Sequence, residues 1–298
     1  MKKYFLALVL VFSLVSVVNA NEIEKCINYI KSQNYQLALQ AGQNAVKIYP
    51  RSAYAHMCLG GTYSKLGYFD LSIKELKTAE KLTNNKADLG VIYSYIGVDY
   101  NNLGDLNNAL LYYDRALEIE RDLNNKEGES KALSNIGEIY RNQGNYDKAL
   151  EYYNKSLQLT SDPSSIAITY NNIALAYSAK GDKNKAVEYY KKAIEFAQKA
   201  GDYHNTAGIM LNLGNIYTDL KNFSEAQYYL QEGLLMTQKL GDKYWEAVGY
   251  YYFGKLYLAQ NQESLAREFF TKAYNLYKAI GDNSDAQYLL LLYEKYLK

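Results

Sequence analysis

The chain has 298 residues, 48% hydrophobic and 22% charged, with 33 Lys and Arg against 32 Asp and Glu. A net charge of +1, without blocks of like charge, excludes a polyanion-binding surface and so gives no nucleic-acid partner. Two histidines, two cysteines and two prolines leave little for a metal centre or a nucleophile–base pair, and much for uninterrupted helix.

Residues 1–20, MKKYFLALVLVFSLVSVVNA, place Lys2 and Lys3 before an apolar run from Tyr4 to Val18 and end in small residues. This pattern predicts a secretory signal peptide cut after Ala20, with an uncleaved anchor as the alternative. The run is short for a membrane span, which needs about 20 residues. Loss of Lys2 and Lys3 changes the net charge from +1 to −1. The expected product has no remaining span and is periplasmic or secreted, the two-lysine start and short segment suggesting a bacterial export signal. Cys26 and Cys58 read best as small buried residues, although in an exported chain they can also bridge.

From residue 21 the chain repeats itself. A small residue recurs at Cys26, Gly60, Gly97, Gly137, Ala174, Gly214 and Gly254, at intervals of 34, 37, 40, 37, 40 and 40 residues. The fourth copy, Gly137–Leu157, reads GEIYRNQGNYDKALEYYNKSL. Leu133, Gly137 and Tyr140 share one face of a first helix, and Leu150, Tyr153 and Leu157 one face of a second. Gly144 and Asn145 make the turn between them. Intervals above 34 predict helices longer by about a turn. Gly-Asp junctions at Gly201-Asp202, Gly241-Asp242 and Gly281-Asp282, with Asn124-Asn125 in the same place, combine a helix stop with the cap of the next helix. Lys221 in place of the turn glycine, and Gly233 in place of Ala or Ser, predict that the sixth hairpin is the least regular. Residues 283–297, NSDAQYLLLLYEKYL, are amphipathic without a partner hairpin and predict a closing helix.

The pattern Leu133, Ile136-Gly137, Tyr140, Gly144, Ala149, Tyr153 and Ser156, repeated along nearly the whole chain from about residue 22, resembles the tetratricopeptide repeat family. The period of about 40 residues and the Gly-Asp junctions resemble its long-repeat branch, with kinesin light chains, Pins-type adaptors and Rap-type regulators. The resemblance implies an all-α fold: a right-handed α-solenoid of about seven helix-turn-helix repeats with a C-terminal capping helix. The repeats fall at about 21–52, 53–86, 87–126, 127–163, 164–203, 204–243 and 244–281, and the cap at 283–297.

The search for chemistry finds no phosphate loop, dinucleotide fingerprint, zinc motif or Cys-x-x-Cys. No enzyme activity, cofactor or metal is expected, and His56 reads as a packing residue. In the family the first helix of each hairpin lines a concave groove. Carried over, that gives Cys58, Tyr95, Asn135, Asn172, Asn212 and Tyr252 in one column, Glu138, Asn215 and Lys255 in the next, and Asn101 and Arg141 one turn on. Tyr251 joins Tyr252 and Lys255 at the C-terminal end. The middle of this groove is expected to be Asn-rich, matching peptide-bond donors and acceptors, and its C-terminal end apolar and aromatic. The bland reading is that Asn merely suits a solvated face. Lys131, Arg141 and Lys255 are too few basic groups for a carboxylate clamp. The pairs Tyr112-Tyr113, Tyr152-Tyr153, Tyr189-Tyr190 and Phe269-Phe270, with Tyr229-Leu230 aligned, predict a core residue preceded by one that packs between repeats.

The expected function is an exported, non-enzymatic scaffold holding a protein or peptide segment in its groove. Two alternatives are a structural component or assembly factor of an envelope or secretion complex, and a peptide-responsive regulator.

Overall fold

The structure is a computed structural model that describes residues 22–297; the proposed signal segment lies outside them. The described residues form fifteen helices and no strand. They are α1 (22–31), α2 (Tyr35–Ile48), α3 (Ala53–Lys65), α4 (Phe69–Leu82), α5 (Lys86–Asn102), α6 (Leu106–Asp122), α7 (Lys126–Asn142) and α8 (Tyr146–Leu157). Then come α9 (Pro163–Lys180), α10 (Lys183–Lys199), α11 (Tyr203–Asp219), α12 (Phe223–Leu240), α13 (Lys243–Ala259), α14 (Glu263–Ala279) and α15 (Asn283–Leu297). The longer intervals are longer helices: α3 and α4 have 13 and 14 residues, α5 and α6 have 17 each.

Caps set these boundaries. Asp162 accepts from Ser165 N with Pro163 at the first helical position, where a missing N–H costs nothing. Asp202 and Asp242 accept from Asn205 N and Trp245 N at the Gly-Asp junctions. Asn124 takes a positive φ of 54° and Asn125 accepts from Gly128 N, so two asparagines divide the work of that pair. In the sixth hairpin Lys221 adopts the left-handed conformation at φ 58°. That hairpin is nevertheless regular, with helices of 17 and 18 residues. The reason is Gly233: a Cβ there would lie 2.8 Å from Leu211 Cγ and 3.0 Å from the Ala207 carbonyl oxygen, so close backbone approach replaces side-chain packing.

The chain divides into two compact units, one ending at Ile139 and one beginning at Tyr140. In the first, α2 packs on α3, α3 on α4, α4 on α5 and α5 on α6, and the first helices α3 and α5 also touch. Ile73, Leu76, Ile92 and Ile96 form its core. A disulfide joins Cys26 on α1 to Cys58 on α3, so the two cysteines are both buried and bridged, which corrects the expectation that they are merely small packing residues. In the second unit each helix from α8 to α15 packs on the next, apart from a shared layer of first helices α9, α11 and α13. Tyr190, Leu211, Leu213, Ile216 and Leu230 sit at the centre of one core cluster, and Ala247, Phe270, Ala273 and Leu289 in another.

The aromatic pairs follow expectation and add a contact within the hairpin: Tyr112 is buried with Ile73 and Leu76 of the preceding hairpin, and Tyr189 packs on Leu150 and Tyr153. The second members, Tyr113, Tyr153, Tyr190 and Phe270, are buried core residues as predicted. The first members stack inside their own hairpin on the tyrosine that closes the first helix. Tyr112 lies on Tyr100, Tyr152 on Tyr140, Tyr189 on Tyr177 and Tyr229 on Tyr217, with centroids 5.3–5.7 Å apart and planes within 22°. The turn geometry is the reason: it returns the second helix alongside the end of the first, twelve residues on in every case.

α15 covers the end of the second unit. Ala286 and Leu289 are 1% exposed, and the Tyr293 ring stacks 4.0 Å from that of Phe270. Deletion of 283–298 should therefore expose Phe270 and Tyr277, causing fraying of α13 and α14 measurable as lost hydrogen-exchange protection. Unchanged protection and solubility would refute a capping role.

Candidate functional site

The residues expected to line the groove are half-buried on first helices, apart from Cys58, which is buried. Tyr95, Asn101, Asn135 and Glu138 belong to the first unit; Arg141, Asn172, Asn212, Asn215, Tyr251, Tyr252 and Lys255 belong to the second. Within each unit, equivalent columns of neighbouring helices stand side by side. In the second unit Tyr252 Oη donates to Asn212 Oδ1 at 3.2 Å and Lys255 Nζ to Asn215 Oδ1 at 2.5 Å, each pair forty residues apart. In the first unit Asn101 Nδ2 donates to Glu138 Oε1 at 3.5 Å, and Gly61 leaves room for the Tyr95 ring.

These bonds give the asparagines unequal roles. Asn212 and Asn215 already serve as acceptors for the next repeat, which leaves their amide donors to other partners. Asn135 and Asn172 make no side-chain hydrogen bond to another described residue. Burial lowers the Lys255 ammonium, partly offset by Asp219 at 3.9 Å. Its charge also sits 5.8 Å from the Tyr252 ring centroid.

One apolar recess was not foreseen. It lies in the first unit, across the first helices α1, α3 and α5, with a volume of about 240 Å³. Ile27, Ile30, Tyr54, Met57, Val91 and Tyr95 form its walls, with the bridged Cys58 and Gly61 at its floor and Lys31 at its edge. The sequence signal was available: Tyr54 and Val91 stand on the same face one turn before Cys58 and Tyr95. Both remain exposed, at 53% and 45%, and border the recess together with the exposed Ile27.

Below this recess Asp99 is fully buried. Its Oδ1 accepts from Ser64 Oγ at 2.6 Å, while Oδ2 has no hydrogen-bond partner. Burial pushes the carboxyl above its ordinary value of 3.8, partly offset by the Ser64 hydroxyl and by that of Ser72, which lies near without a well-formed hydrogen bond. A raised native pKa means that the folded state holds the proton more tightly, so this contribution to stability is present in acid and lost as pH rises through the native pKa. Asp99→Asn should raise the stability of the first unit at neutral pH by about 1–3 kcal/mol, the usual cost of an unsatisfied buried acceptor. The gap to the parent should close as pH falls toward 4. Urea denaturation at several pH values checks this, and a destabilised Asn variant at pH 7 would refute it.

His56 is held between Glu75 Oε2 at 2.6 Å and the Pro50 carbonyl at 3.1 Å, a structural position. No helix of the described residues is long and apolar enough to cross a membrane. No group of three potential metal ligands converges among the described residues.

A family model of the tetratricopeptide repeat matches residues 88–162, 128–199, 165–239 and 205–279. No curated protein matches the chain. Among solved structures, the apo form of RapI aligns over 89% of this chain and 99% of its own, with 14% identity and a TM-score of 0.70. The apo form of the quorum sensor NprR from B. thuringiensis aligns over 95% of this chain and 88% of its own, with 16% identity and a TM-score of 0.69. A Rap protein complexed with Competence and Sporulation Factor aligns over 94% and 98%, with 12% identity and a TM-score of 0.65. At these identities the likeness is one of fold.

Proposed function

The chain belongs to the tetratricopeptide repeat family, and on that premise we propose that it is an exported, non-enzymatic scaffold that captures a peptide segment on its first-helix faces. The observation that carries the reading is the recess of about 240 Å³ on α1, α3 and α5, an open apolar receptacle sized for a large side chain. Asn135, in the same unit as the recess, offers an amide group suited to a peptide backbone. A Rap protein of the same fold is seen complexed with Competence and Sporulation Factor, which supports a binding role without naming this chain's partner. Two features support export: the apolar segment behind Lys2 and Lys3, and the Cys26–Cys58 bridge, a bond that persists in oxidising compartments.

Gly61 supplies the test. A Cβ there makes ordinary van der Waals contact with the Tyr95 ring, at 3.7 Å, so a longer side chain enters the recess against that ring. Gly61→Leu should fill the recess while improving the helix by up to about 1 kcal/mol. Ligands selected from a peptide library on the parent should bind this variant at least tenfold more weakly by calorimetry, with an unchanged or higher melting temperature. Equal binding by Gly61→Leu would move the recognition site elsewhere, and failure of any peptide to bind the parent would refute the proposal.

A further inference from the structure

A second recess lies wholly in the other unit, between α13, α14 and α15, with a volume of about 160 Å³. Five tyrosines line it: Tyr244, Tyr251 and Tyr252 from α13, Tyr277 from α14 and Tyr288 from α15. Val248 and Leu289 complete the wall, and Asp285 is its one charged lining group. The Tyr251 and Tyr252 rings meet at 5.4 Å with planes 40° apart, and Tyr244 and Tyr277 at 6.1 Å edge to face.

We propose that this recess is a receptor for an organic ammonium group, held against the tyrosine faces and neutralised by Asp285. The argument has three parts. Aromatic faces carry negative potential and attract cations, quaternary and alkyl ammonium above all, and several rings converging on one cavity add their contributions. Asp285 forms no ion pair with a described Lys, Arg or His, so its charge is left to an incoming ligand; its partner is the Tyr244 hydroxyl. The size also fits: a cavity of about 150 Å³ takes a benzene-sized guest, larger than a trimethylammonium head.

The surrounding charges point the same way. Burial, together with Asp285, Asp282 and Asp242, pushes the Tyr244 phenol up to about 12. Burial, with Asp285 and Asp282 adding, pushes Tyr277 up as well. The phenols are therefore neutral near pH 7, and the recess sits in a negative field. Lys255 is the nearby like charge: its ammonium lies 6.0 Å from the Tyr251 and 5.8 Å from the Tyr252 ring centroid, outside the lining and anchored on Asn215. This leaves Tyr244, Tyr277 and Tyr288 beside Asp285 for a ligand. Each helix contributes to the recess, so it exists only where the closing helix α15 is packed.

This site stands apart from the recess on α1, α3 and α5, and its test does not require a peptide ligand. Choline chloride should be titrated into the full chain at constant ionic strength, followed by calorimetry and by NMR of the tyrosine rings. Its neutral carbon isostere, 3,3-dimethylbutan-1-ol, serves as the control. Choline should bind with a Kd of about a millimolar or tighter, and the isostere at least tenfold more weakly. Asp285→Asn, which keeps an oxygen for the Tyr244 hydroxyl, should weaken choline at least tenfold. Tyr288 is 56% exposed, so Tyr288→Leu should fold and weaken choline several-fold, and Tyr288→Phe should restore it.

Nα-acetyl-trimethyllysine amide and Nα-acetyl-lysine amide extend the titration. Tighter binding of these than of choline assigns the ammonium to a peptide side chain; the reverse assigns it to a free headgroup, and either order supports the proposal. Equal affinity for choline and its isostere, an unaffected Asp285→Asn variant, or no binding at all would overturn it.

Discussion

Replacing Cys26 and Cys58 together by alanine should cost the first unit roughly 3–4 kcal/mol. The bridge closes a loop of 32 residues in the unfolded chain, and loop-closure entropy for that length is worth about this much. The position magnifies the effect. In a stacked array each hairpin is held only by its neighbours, so the end hairpin has half the support of an inner one. Here the bridge ties the first helix of the first hairpin to the first helix of the second, with Cα atoms 6.3 Å apart. The alanine pair, or reduction of the parent, should release α1 and α2 before the rest of the unit. Hydrogen exchange should show lost protection over 22–48 first, with denaturant midpoints lowered for the first unit alone. Identical protection in oxidised and reduced protein would show that packing by Ala38, Ala41 and Ala45 suffices without the bond.

Phe270→Ala should be the most damaging single core change in the second unit, at about 3–5 kcal/mol. The ring is fully buried and meets Tyr251 at 6.2 Å and Tyr293 at 4.0 Å, so it ties α14 to both α13 and α15. It also fills the space above Gly254, where a Cβ would lie 2.4 Å from the ring. The ring takes the space that a side chain at Gly254 would otherwise occupy. Truncation leaves a cavity that the helices can close only by shifting α15. The variant should therefore melt earlier and lose protection in α13–α15, and a penalty below 1 kcal/mol would show that α15 repacks freely.

Most of the fold was legible because each repeat states it twice. The small column at Gly97, Gly214 and Gly254 and the bulky column at Tyr113, Leu230 and Phe270 are two halves of one contact. Ideal Cβ atoms on those glycines would fall 2.7, 2.6 and 2.4 Å from the facing side chains. A repeat that shows both halves leaves few alternatives for the hairpin. The binding face was less legible. Column position told which residues stand on the first-helix face, but not which are already engaged. That Asn212 bonds Tyr252, and Asn215 bonds Lys255, depends on side-chain reach between helices forty residues apart in sequence. The apolar recess depends on Gly61 and on the apolar residues Ile27 and Ile30 of α1, which stand outside the repeat's Cys26 and Tyr29 columns. The bridge was missed because two cysteines in first helices pack as small buried residues as readily as they pair; only their meeting on neighbouring helices decides it.

Trp245 is the chain's single tryptophan, among 34 tyrosines. It stands on α13 against Gly208, whose Cβ would lie 2.9 Å from the indole, and beside the Tyr244 ring at 5.9 Å. Optically the protein is therefore a dense donor array with one acceptor. Light absorbed by the tyrosines around α11–α14 drains toward the indole, and emission at long wavelength reports the state of that neighbourhood. Opening of the bridged N-terminal hairpin should leave this glow unchanged, while Phe270→Ala should redden and dim it, so one cuvette distinguishes the two lesions.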